Sequence, residues 1–260
     1  MWHEDRRQRI RALLDTFGQV SIDRVTSEFA VSRETIRRDL LDMERQGELR
    51  RVRGGAVATH ERREEPYRVR SAVRVHEKRA IAAAAARSLK SGQTLFLDAG
   101  STTSTLGDRL ADLSGLTVIT NSVDVASRIS EATGPAAESN RVMLLGGAFE
   151  TEPPATFGEV TINEVARYQA DIAILSPFGL DAGKGATSYD PREAEIARAM
   201  IANARETIML ADHSKIGVVS RIAYCQASEI SHLVVDARAP GCAGFDILGA
   251  QVGKVTVASR

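Results

Sequence analysis

Apolar residues in the first sixty positions recur every three or four residues, in three successive segments. This spacing places them on one face of a helix, and it predicts amphipathic helices over residues 5–17, 22–29 and 33–46. Ser32 precedes the third helix as an N-cap, and Gly47 follows it where a glycine suits a helix end. The N-terminal region is therefore predicted to hold three short helices.

The third predicted helix and the segment after it are rich in arginine. Arg33 and Arg37 share an outward face in the first two helical turns. Residues 49–58 alternate loosely around the pair Gly54-Gly55, which predicts a β-hairpin. In a winged helix-turn-helix, the N-terminal turns of the recognition helix reach base edges in the major groove, and the wing lies along phosphates or in the minor groove. The pattern favours such a DNA-binding domain, although an arginine-rich solvated surface would show the same periodicity.

From residue 77 onward, short apolar runs alternate with helical patterns. The predicted strands cover residues 94–97, 116–120, 142–145, 171–175, 207–210 and 232–235, and helices are predicted over 78–89, 106–113, 123–129, 162–168 and 193–204. This alternation is typical of a mostly parallel sheet covered on both faces. The preceding segment is dense in charge and lacks a long apolar stripe, so we interpret it as a connection, in part helical. The predicted boundaries are 1–58 for the winged helix-turn-helix domain, 59–76 for the linker and 77–260 for an effector-sensing α/β domain.

Composition narrows the class of protein. Hydrophobic residues make up 43% and charged residues 26%, as in soluble globular proteins. Basic and acidic residues balance at 34 each, so a DNA-binding surface would be local. The polar start and the lack of an apolar run of about 20 residues predict neither a signal peptide nor a membrane span, and hence a cytoplasmic protein. Cys225 and Cys242 stand far apart without partners at metal-ligand spacing, so we expect reduced thiols, no metal site and no cofactor.

Polar residues follow the predicted strands at their carboxyl ends, which is the edge where parallel α/β sheets bind ligands. After the first strand, Gly100 lets the backbone come close to a ligand, and the hydroxyls of residues 101–103 and the following helix start suit an anion. Lys215, after a later strand, supplies a positive charge for a phosphate. Carboxylates that can accept from sugar hydroxyls are Asp98, Asp181 and Asp212. Each residue taken singly is equally well explained as a helix cap, but five such segments at one edge predict a pocket.

Longer stretches resemble one family of bacterial repressors. The string VSRETIRRDLLDMERQGELRRVRGGA resembles the recognition helix and wing of the DeoR/GlpR family, and EKRAIA, LDAGSTT, VITNS, LLGG, TFG and LADHSK follow in the order found in its effector domains. The resemblance covers nearly the whole chain. It implies DNA contacts by Ser32, Arg33, Thr35, Arg37, Arg38, Arg51, Arg53, Gly54 and Gly55. It implies an effector pocket lined by Glu77, Lys78, Asp98, Gly100, Ser101, Thr102, Thr103, Asn121, Gly146, Gly147, Asp212 and Lys215, to which strand-end chemistry adds Asp181.

The resemblance also implies a fold and a function. The C-terminal fold would be similar to that of ribose-5-phosphate isomerase, and the inducer would be a phosphorylated sugar or polyol. The chain is thus predicted to repress a carbohydrate or polyol catabolic operon and to leave its double-stranded DNA operator when the effector binds. Because operator symmetry mirrors protein symmetry, we expect a homo-oligomer, either a dimer or a tetramer.

Two other functions remain open from the sequence. A sugar-phosphate isomerase-type enzyme with a DNA-binding appendage would use Asp181, Lys184 and Asp212 as acid and base groups. An activator or architectural DNA binder would sense no ligand, which the hydroxyl-rich segment after the first strand disfavours.

Two segments depart from the family pattern. Ser176-Pro177-Phe178 stands where relatives commonly have small residues including glycine, and the bulk of Pro177 and Phe178 predicts a narrower pocket. The segment 146–154 is unusual in holding two glutamates and two prolines, the latter adjacent at Pro153-Pro154.

Overall fold

A computed structural model describes residues 3–17, 19–29, 31–58 and 65–259. The chain divides into two compact units, Met1–Glu64 and Glu65–Arg260, which are described separately. Residues 65–76, the second part of the predicted linker, are included in the second unit.

The first unit has three helices and a three-stranded antiparallel sheet. Its elements are α1 (His3–Phe17), β1 (Gln19–Ser21), α2 (Ile22–Phe29), α3 (Arg33–Arg45), β2 (Leu49–Val52) and β3 (Gly55–Ala58). Strand β3 lies between β1 and β2 in the sheet. The three predicted helices and the predicted hairpin are confirmed.

Local sequence sets the bounds of helix α3. Ser32 is extended, and its Oγ accepts a hydrogen bond from the backbone N of Thr35 at 3.1 Å, as an N-cap does. Gly47 follows the helix end with φ +75°, a conformation that glycine adopts without steric cost. Ile36 and Leu40 are fully buried in the core of the unit, so the opposite face of α3 is left to solvent.

The second unit is an α/β domain. Its helices are α4 (Tyr67–Ala72), α5 (Val75–Ala86), α6 (Ser101–Leu110), α7 (Val123–Ser130), α8 (Pro135–Glu138), α9 (Glu159–Val165), α10 (Pro191–Ala202) and α11 (Phe245–Gln251). Its strands are β4 (Thr94–Leu97), β5 (Thr117–Thr120), β6 (Arg141–Leu144), β7 (Ala148–Thr151), β8 (Pro154–Phe157), β9 (Ala170–Leu175), β10 (Gly179–Asp181), β11 (Gly185–Ser188), β12 (Ala204–Ala211), β13 (Ile222–Cys225), β14 (His232–Val235) and β15 (Val255–Val257).

Seven of these strands form one parallel sheet in the order β15-β14-β12-β9-β4-β5-β6. All six predicted strands belong to it, so the predicted α/β class is confirmed. The chain runs outward from β4 through β5 to β6, then returns to the other side of β4 and continues through β9, β12 and β14 to β15. The direction of winding therefore reverses between β4 and β9, which is where ligands bind in open α/β sheets.

Alternation along the strands gives the sheet two apolar faces. Leu95 and Leu97 of β4 belong to a buried cluster that includes residues of α5, α6 and α7. Phe96, between them, belongs to the cluster on the other face, with residues of α9, α10 and α11. Successive side chains of a strand point to opposite faces, and burial on both faces explains the uninterrupted apolar runs in the sequence.

The structure differs from the sequence-based expectation in several elements, including strands β1 and β15 and helices α8 and α11, which were not predicted. Helix α6 begins at Ser101, whereas its predicted start was residue 106, because serine and threonine are weak helix formers that imitate a loop. The antiparallel pair β7 and β8 and the antiparallel sheet β10-β11-β13 were not predicted. Over the described ranges, every helix is too short or too polar to cross a membrane.

Candidate functional sites

Helix α3 presents the predicted arginines on its solvent side. Arg33, Arg37 and Arg38 are exposed, while Ile36 and Leu40 point into the core. The Arg33 guanidinium pairs with Asp23 of α2, and Arg37 Nη1 lies 3.8 Å from Glu34 Oε2. Both are solvent-exposed pairs, which contribute about 0–1 kcal/mol each, so these arginines can exchange their partners for DNA.

Ser32 and Thr35 form the start of the same helix. Their hydroxyl oxygens lie 2.8 Å apart, and Ser32 Oγ also accepts from the backbone of Thr35. The structure therefore gives both residues a capping role, which fixes the direction of the N-terminal turn of α3.

The β2–β3 hairpin holds the remaining predicted DNA contacts. Arg51 and Arg53 are exposed. Gly54 has φ +87°, as a tight turn requires, and a Cβ on Gly55 would lie 2.0 Å from the Val20 carbonyl oxygen of β1. Both glycines are thus required by the geometry of the hairpin. Arg51 and Arg53, like the neighbouring Arg50, are exposed and can reach phosphates.

In the second unit, the carboxyl ends of the parallel strands bring most of the predicted pocket residues to one edge. Asp98 follows β4, Asn121 follows β5 and Asp212 follows β12. Direct contacts join neighbouring strand ends: Ser176, after β9, donates its backbone N–H to Asp98 Oδ2 at 3.1 Å, and Lys215 Nζ donates to Ser176 Oγ at 2.8 Å. Asp98, Ser176 and Lys215 thus lie together at the β4–β9 switch point.

Two lysines face this edge. Lys78 of α5 is only 3% exposed, and its ammonium donates to the backbone carbonyl of Arg70. Burial, together with the nearby charge of Lys215, lowers the pKa of Lys78 to about 8, although Asp212 acts in the opposite direction. Two cations in one partly enclosed region repel each other, and an anion between them would relieve that repulsion.

Asp212 is the anion beside three cations, Lys78, Lys215 and Arg74, which we call the cationic cluster. Its Oδ1 accepts from the backbone N of Ser214 at 2.9 Å and lies 3.1 Å from Arg74 Nε. Burial acts to raise the pKa of Asp212, but Lys215, Ser214 and Arg74 together hold it below its usual value. The carboxylate therefore stays ionised, and the cations around it outnumber it.

The N-terminal turn of α6 completes the edge. Thr102 and Thr103 are fully buried, and Thr103 Oγ1 donates to the Gly100 carbonyl at 2.9 Å. Within the described residues, the buried atoms Thr102 Oγ1 and Asn121 Oδ1 have no hydrogen-bond partner. Unsatisfied buried polar atoms are costly, and here they mark where a bound ligand or water would supply a partner.

Four predicted pocket residues have other roles in the structure. Asp181 Oδ1 accepts from the backbone N of Gly183 and Lys184, which shapes the turn between β10 and β11. Gly146 donates its N–H to Glu164 Oε2 at 2.6 Å. Gly147 has φ +145°, and a Cβ there would lie 2.2 Å from Thr161 Oγ1. Glu77 lies 3.9 Å from Arg238. These contacts explain the positions of the four residues, and no bound ligand is needed to explain them.

The two departures from the family pattern have different structural settings. Within β7–β8, Glu150 pairs with Arg192 of α10, and Glu152 Oε2 accepts from the backbone N of Tyr67 at 2.6 Å. Pro177 is buried, and its carbonyl accepts from Lys215 Nζ at 2.5 Å. The unusual hairpin therefore packs against neighbouring helices, whereas Pro177 lies directly against the cationic cluster.

Sequence reasoning missed Arg74 and Tyr67. Arg74 reaches Asp212, and the Tyr67 hydroxyl donates to Asp124 Oδ2 at 2.6 Å. Burial and the Asp124 carboxylate raise the pKa of Tyr67 to about 12, so its hydroxyl stays protonated. Both residues lie in the charge-rich segment, where no periodic signal indicated which side chains fold back onto the domain.

One trio has the spacing of metal ligands among the described residues, namely Asp212, His213 and Asp236. Asp236 Oδ2 already accepts from the backbone N of His213 at 2.7 Å and lies 2.9 Å from its Nδ1. These contacts, with those of Asp212, form a hydrogen-bonded network after β12 and β14, and they give no independent sign of an ion.

Two family models match the chain. The model of the DeoR-like helix-turn-helix domain covers residues 6–62, and that of the DeoR C terminal sensor domain covers residues 73–237. The boundary between the models falls in the segment that joins the two compact units.

Curated relatives align over almost the full chain. The glycerol-3-phosphate regulon repressor of Escherichia coli (strain K12) is 30% identical over 240 residues, which cover 92% of this chain and 93% of that protein. The HTH-type transcriptional repressor GlcR of Bacillus subtilis (strain 168) is 32% identical over 95% of this chain and 93% of its own length. The transcriptional repressor AccR of Agrobacterium fabrum is 32% identical, with coverage of 90% and 89%.

Solved structures show weaker similarity. Ribose 5-phosphate isomerase A from Methanocaldococcus jannaschii matches with a TM-score of 0.38 and 18% identity, over 54% of this chain and 53% of that chain. The delta subunit of eIF2B from Chaetomium thermophilum matches with a TM-score of 0.40 and 14% identity, over 55% and 49%. The chain spans about half the length of these structures, and TM-scores at this level support no conclusion about function.

Proposed function

The chain belongs to the DeoR family of transcriptional regulators, and from this membership we propose that it is a DNA-binding repressor released from its operator by a phosphorylated sugar or polyol. Relatives aligned over nine-tenths of the chain are named as repressors, and one of them is named for a glycerol-3-phosphate regulon. The repressed genes would then be those of a carbohydrate or polyol catabolic operon.

The main support for binding of a phosphorylated effector is the pair of lysines Lys78 and Lys215 at the β4–β9 switch point. The ammonium of Lys215 contacts Ser176 at the carboxyl end of β9, and Lys78 is buried close enough for the charge of Lys215 to lower its pKa. A phosphate dianion can accept charge-assisted hydrogen bonds from both ammonium groups. The Thr102 hydroxyl and the Asn121 side-chain oxygen, both buried at the same edge, suit the hydroxyls of a sugar or polyol.

We propose that the operator is bound by a homo-oligomer. One recognition helix reads only one half-site, and bacterial repressors with this motif pair two helices on two half-sites. Effector binding would favour an arrangement of the oligomer in which the two recognition helices no longer match the half-site spacing.

The isomerase alternative has less support from the geometry. Asp181 is engaged in the β10–β11 turn, and the Lys184 side chain is exposed. Neither is among the groups that contact one another around Lys215. Asp181 meets Lys184 through the backbone N–H of Lys184, so no described contact joins the side chains of the three residues that the isomerase would use as acid and base groups. We propose that the domain binds its ligand without converting it.

The test is fluorescence anisotropy of the full chain on DNA from upstream of its own gene, titrated with sugar and polyol phosphates. We expect tight, salt-sensitive binding that one class of phosphate relieves. Unphosphorylated sugars are the control and should relieve nothing. DNA binding that no phosphate affects would contradict the sensing role, and turnover of pentose phosphates without DNA binding would favour the isomerase.

The ionisation of Lys78 gives a pH prediction. Its pKa is about 8 in the free protein, and a bound dianion would raise it, so at pH 8 binding should take up about half a proton per site. The second pKa of a phosphate ester is about 6, so at pH 8 the ligand is already dianionic and the proton comes from the solvent. Because effector binding is coupled to the protonation of Lys78, the affinity for the effector should fall about tenfold between pH 7 and pH 9.

The measurement is calorimetry of effector binding at pH 8 in two buffers that differ in ionisation enthalpy. The charged groups around the ammonium are Lys215, Asp212, Arg74 and Arg70, and replacing Lys78 with methionine leaves them in place. The K78M variant should show no proton uptake. An unchanged uptake in this variant would assign the proton to another group.

A further inference from the structure

We propose that helix α4 is a latch on the effector pocket: Lys78 and Arg74 hold its carboxyl end against the domain, and an anionic effector releases it by taking over these cations. The α4 latch is defined as residues 67–74, that is, helix α4 and the two residues that join it to α5. This inference rests on the proposed function, because it concerns the regulation of the same pocket.

The first step concerns Lys78. Its ammonium donates to the carbonyl oxygen of Arg70, in the last turn of α4. The last carbonyls of a helix have no partner within the helix and carry the negative end of its dipole, so a cation there acts as a C-terminal cap. Helix α4 has only six residues and is too short to be stable alone. Its carboxyl end therefore depends on a cation that also faces the pocket.

The second step concerns Arg74. Its backbone has φ 52° and ψ 38°, and it is the only non-glycine residue with positive φ in the described part of the chain. This left-handed conformation is unfavourable for a residue with a Cβ and persists only where other contacts hold it. Two contacts hold Arg74: its backbone carbonyl accepts from Lys78 N at 3.0 Å, and its side chain pairs with Asp212 at 3.1 Å from Nε to Oδ1. Both ends of the α4–α5 connection thus depend on charges in the pocket.

The third step is competition between the pocket ligand and the latch. A hydrogen bond from an ammonium to a phosphate oxygen is shorter and stronger than one to a neutral carbonyl. A dianion beside Lys215 draws the Lys78 ammonium away from Arg70, and it also attracts the Arg74 guanidinium away from Asp212. The helix then loses its cap, and Arg74 loses the ion pair that helps to hold its left-handed backbone.

The amino end of α4 has separate contacts. Tyr67 is held through its hydroxyl by Asp124 and through its backbone N–H by Glu152, and neither partner belongs to the cationic cluster. In the latched state, residues 67–74 are held on the domain by contacts at both ends. When α4 unwinds, these residues add to the length of unconstrained chain between the DNA-binding unit and α5. A longer connection lowers the effective concentration of one DNA-binding unit relative to another, which weakens binding to paired half-sites.

The test is hydrogen exchange of the full chain with and without inorganic phosphate, at constant ionic strength set with chloride. Phosphate should slow amide exchange at residues 101–104, in the first turn of α6, and speed it at least about tenfold at residues 68–72. The K78M variant should show the fast exchange at 68–72 without phosphate, and phosphate should not change it further. The matched control is R79M, one position along α5, where the side chain is exposed. It should behave like the unaltered protein.

The outcomes separate the latch from the proposed function. Slower exchange at 101–104 without faster exchange at 68–72 would show that the pocket binds the anion and would overturn the latch alone. No effect of phosphate at either place would overturn both the latch and the anion site. Exchange in the central strands β9 and β12 reports whether K78M is folded. If it is not, R74A, which removes only the ion pair to Asp212, should show the same fast exchange at 68–72, and normal exchange there would overturn the latch.

Discussion

Replacing Lys215 with alanine should abolish the response to the effector and leave operator binding intact. Lys215 is the one cation in the pocket whose ammonium contacts the carboxyl end of β9, through Ser176 Oγ at 2.8 Å and the Pro177 carbonyl at 2.5 Å, within the described residues. Removing one member of a desolvated charge pair costs about 2–5 kcal/mol, so effector affinity should fall by a factor of about 30 or more. The measurement is the effector concentration that releases half of the operator-bound protein.

The matched control for this prediction is Lys90→Ala. Lys90 is an exposed lysine in the turn before β4, so its removal changes the net charge equally and the pocket not at all. Operator affinity should agree within about twofold among the two variants and the unaltered chain, since neither lysine lies in the DNA-binding unit. A Lys215→Ala variant that responds at the usual effector concentration would remove Lys215 from the pocket.

Replacing Arg37 with alanine should weaken specific operator binding and leave effector binding unchanged. Arg37 is exposed on α3, and among the described residues its partner is Glu34, in a solvent-exposed pair. An arginine that contacts a base edge contributes about 1–3 kcal/mol, so operator affinity should fall by a factor of about 5 to 150. If Arg37 contacts a base, the loss will be larger for operator than for unrelated DNA. If it contacts a phosphate, the loss will be equal for both.

Arg45→Ala is the control for Arg37→Ala. Arg45 is also exposed, but it lies eight residues further along the same helix, about 12 Å along its axis. Only the N-terminal turns of a recognition helix reach base edges, so the Arg45 variant should keep most of its specific affinity. Equal losses for the two variants would show that α3 contributes only a general positive charge.

The elements that the sequence predicted well are those with one dominant physical cause. The three N-terminal helices follow from apolar periodicity and from caps such as Ser32, and the six strands follow from short runs buried on both faces. The position of the pocket follows from strand direction alone, because parallel strands end at one edge. Lys78 and Lys215 came from the family resemblance and from strand-end chemistry, and the structure places both at that edge.

The features that the sequence did not predict depend on contacts between distant residues. Nothing local marks Arg74 as left-handed, since its conformation depends on Asp212, which is far away in the sequence. Asp181 follows the strand-end pattern, but it belongs to a hairpin outside the parallel sheet, where it shapes a turn. The hydroxyls of residues 101–103 resembled a loop because their low helix propensity is outweighed by burial in the domain.

The separation between a rigid sheet and its strand-end loops has a consequence for how such regulators diversify. Hydrophobic packing on the two faces fixes the sheet, whereas the proposed ligand contacts lie at the strand ends, in the first turn of α6 and on α5. Under this proposal, substitutions at Pro177 or Phe178 would alter which carbon skeleton fits while Lys78 and Lys215 stay unchanged. A gene duplicate of this chain could acquire a new inducer through a few such loop changes, while its DNA-reading unit continued to recognise the ancestral operator.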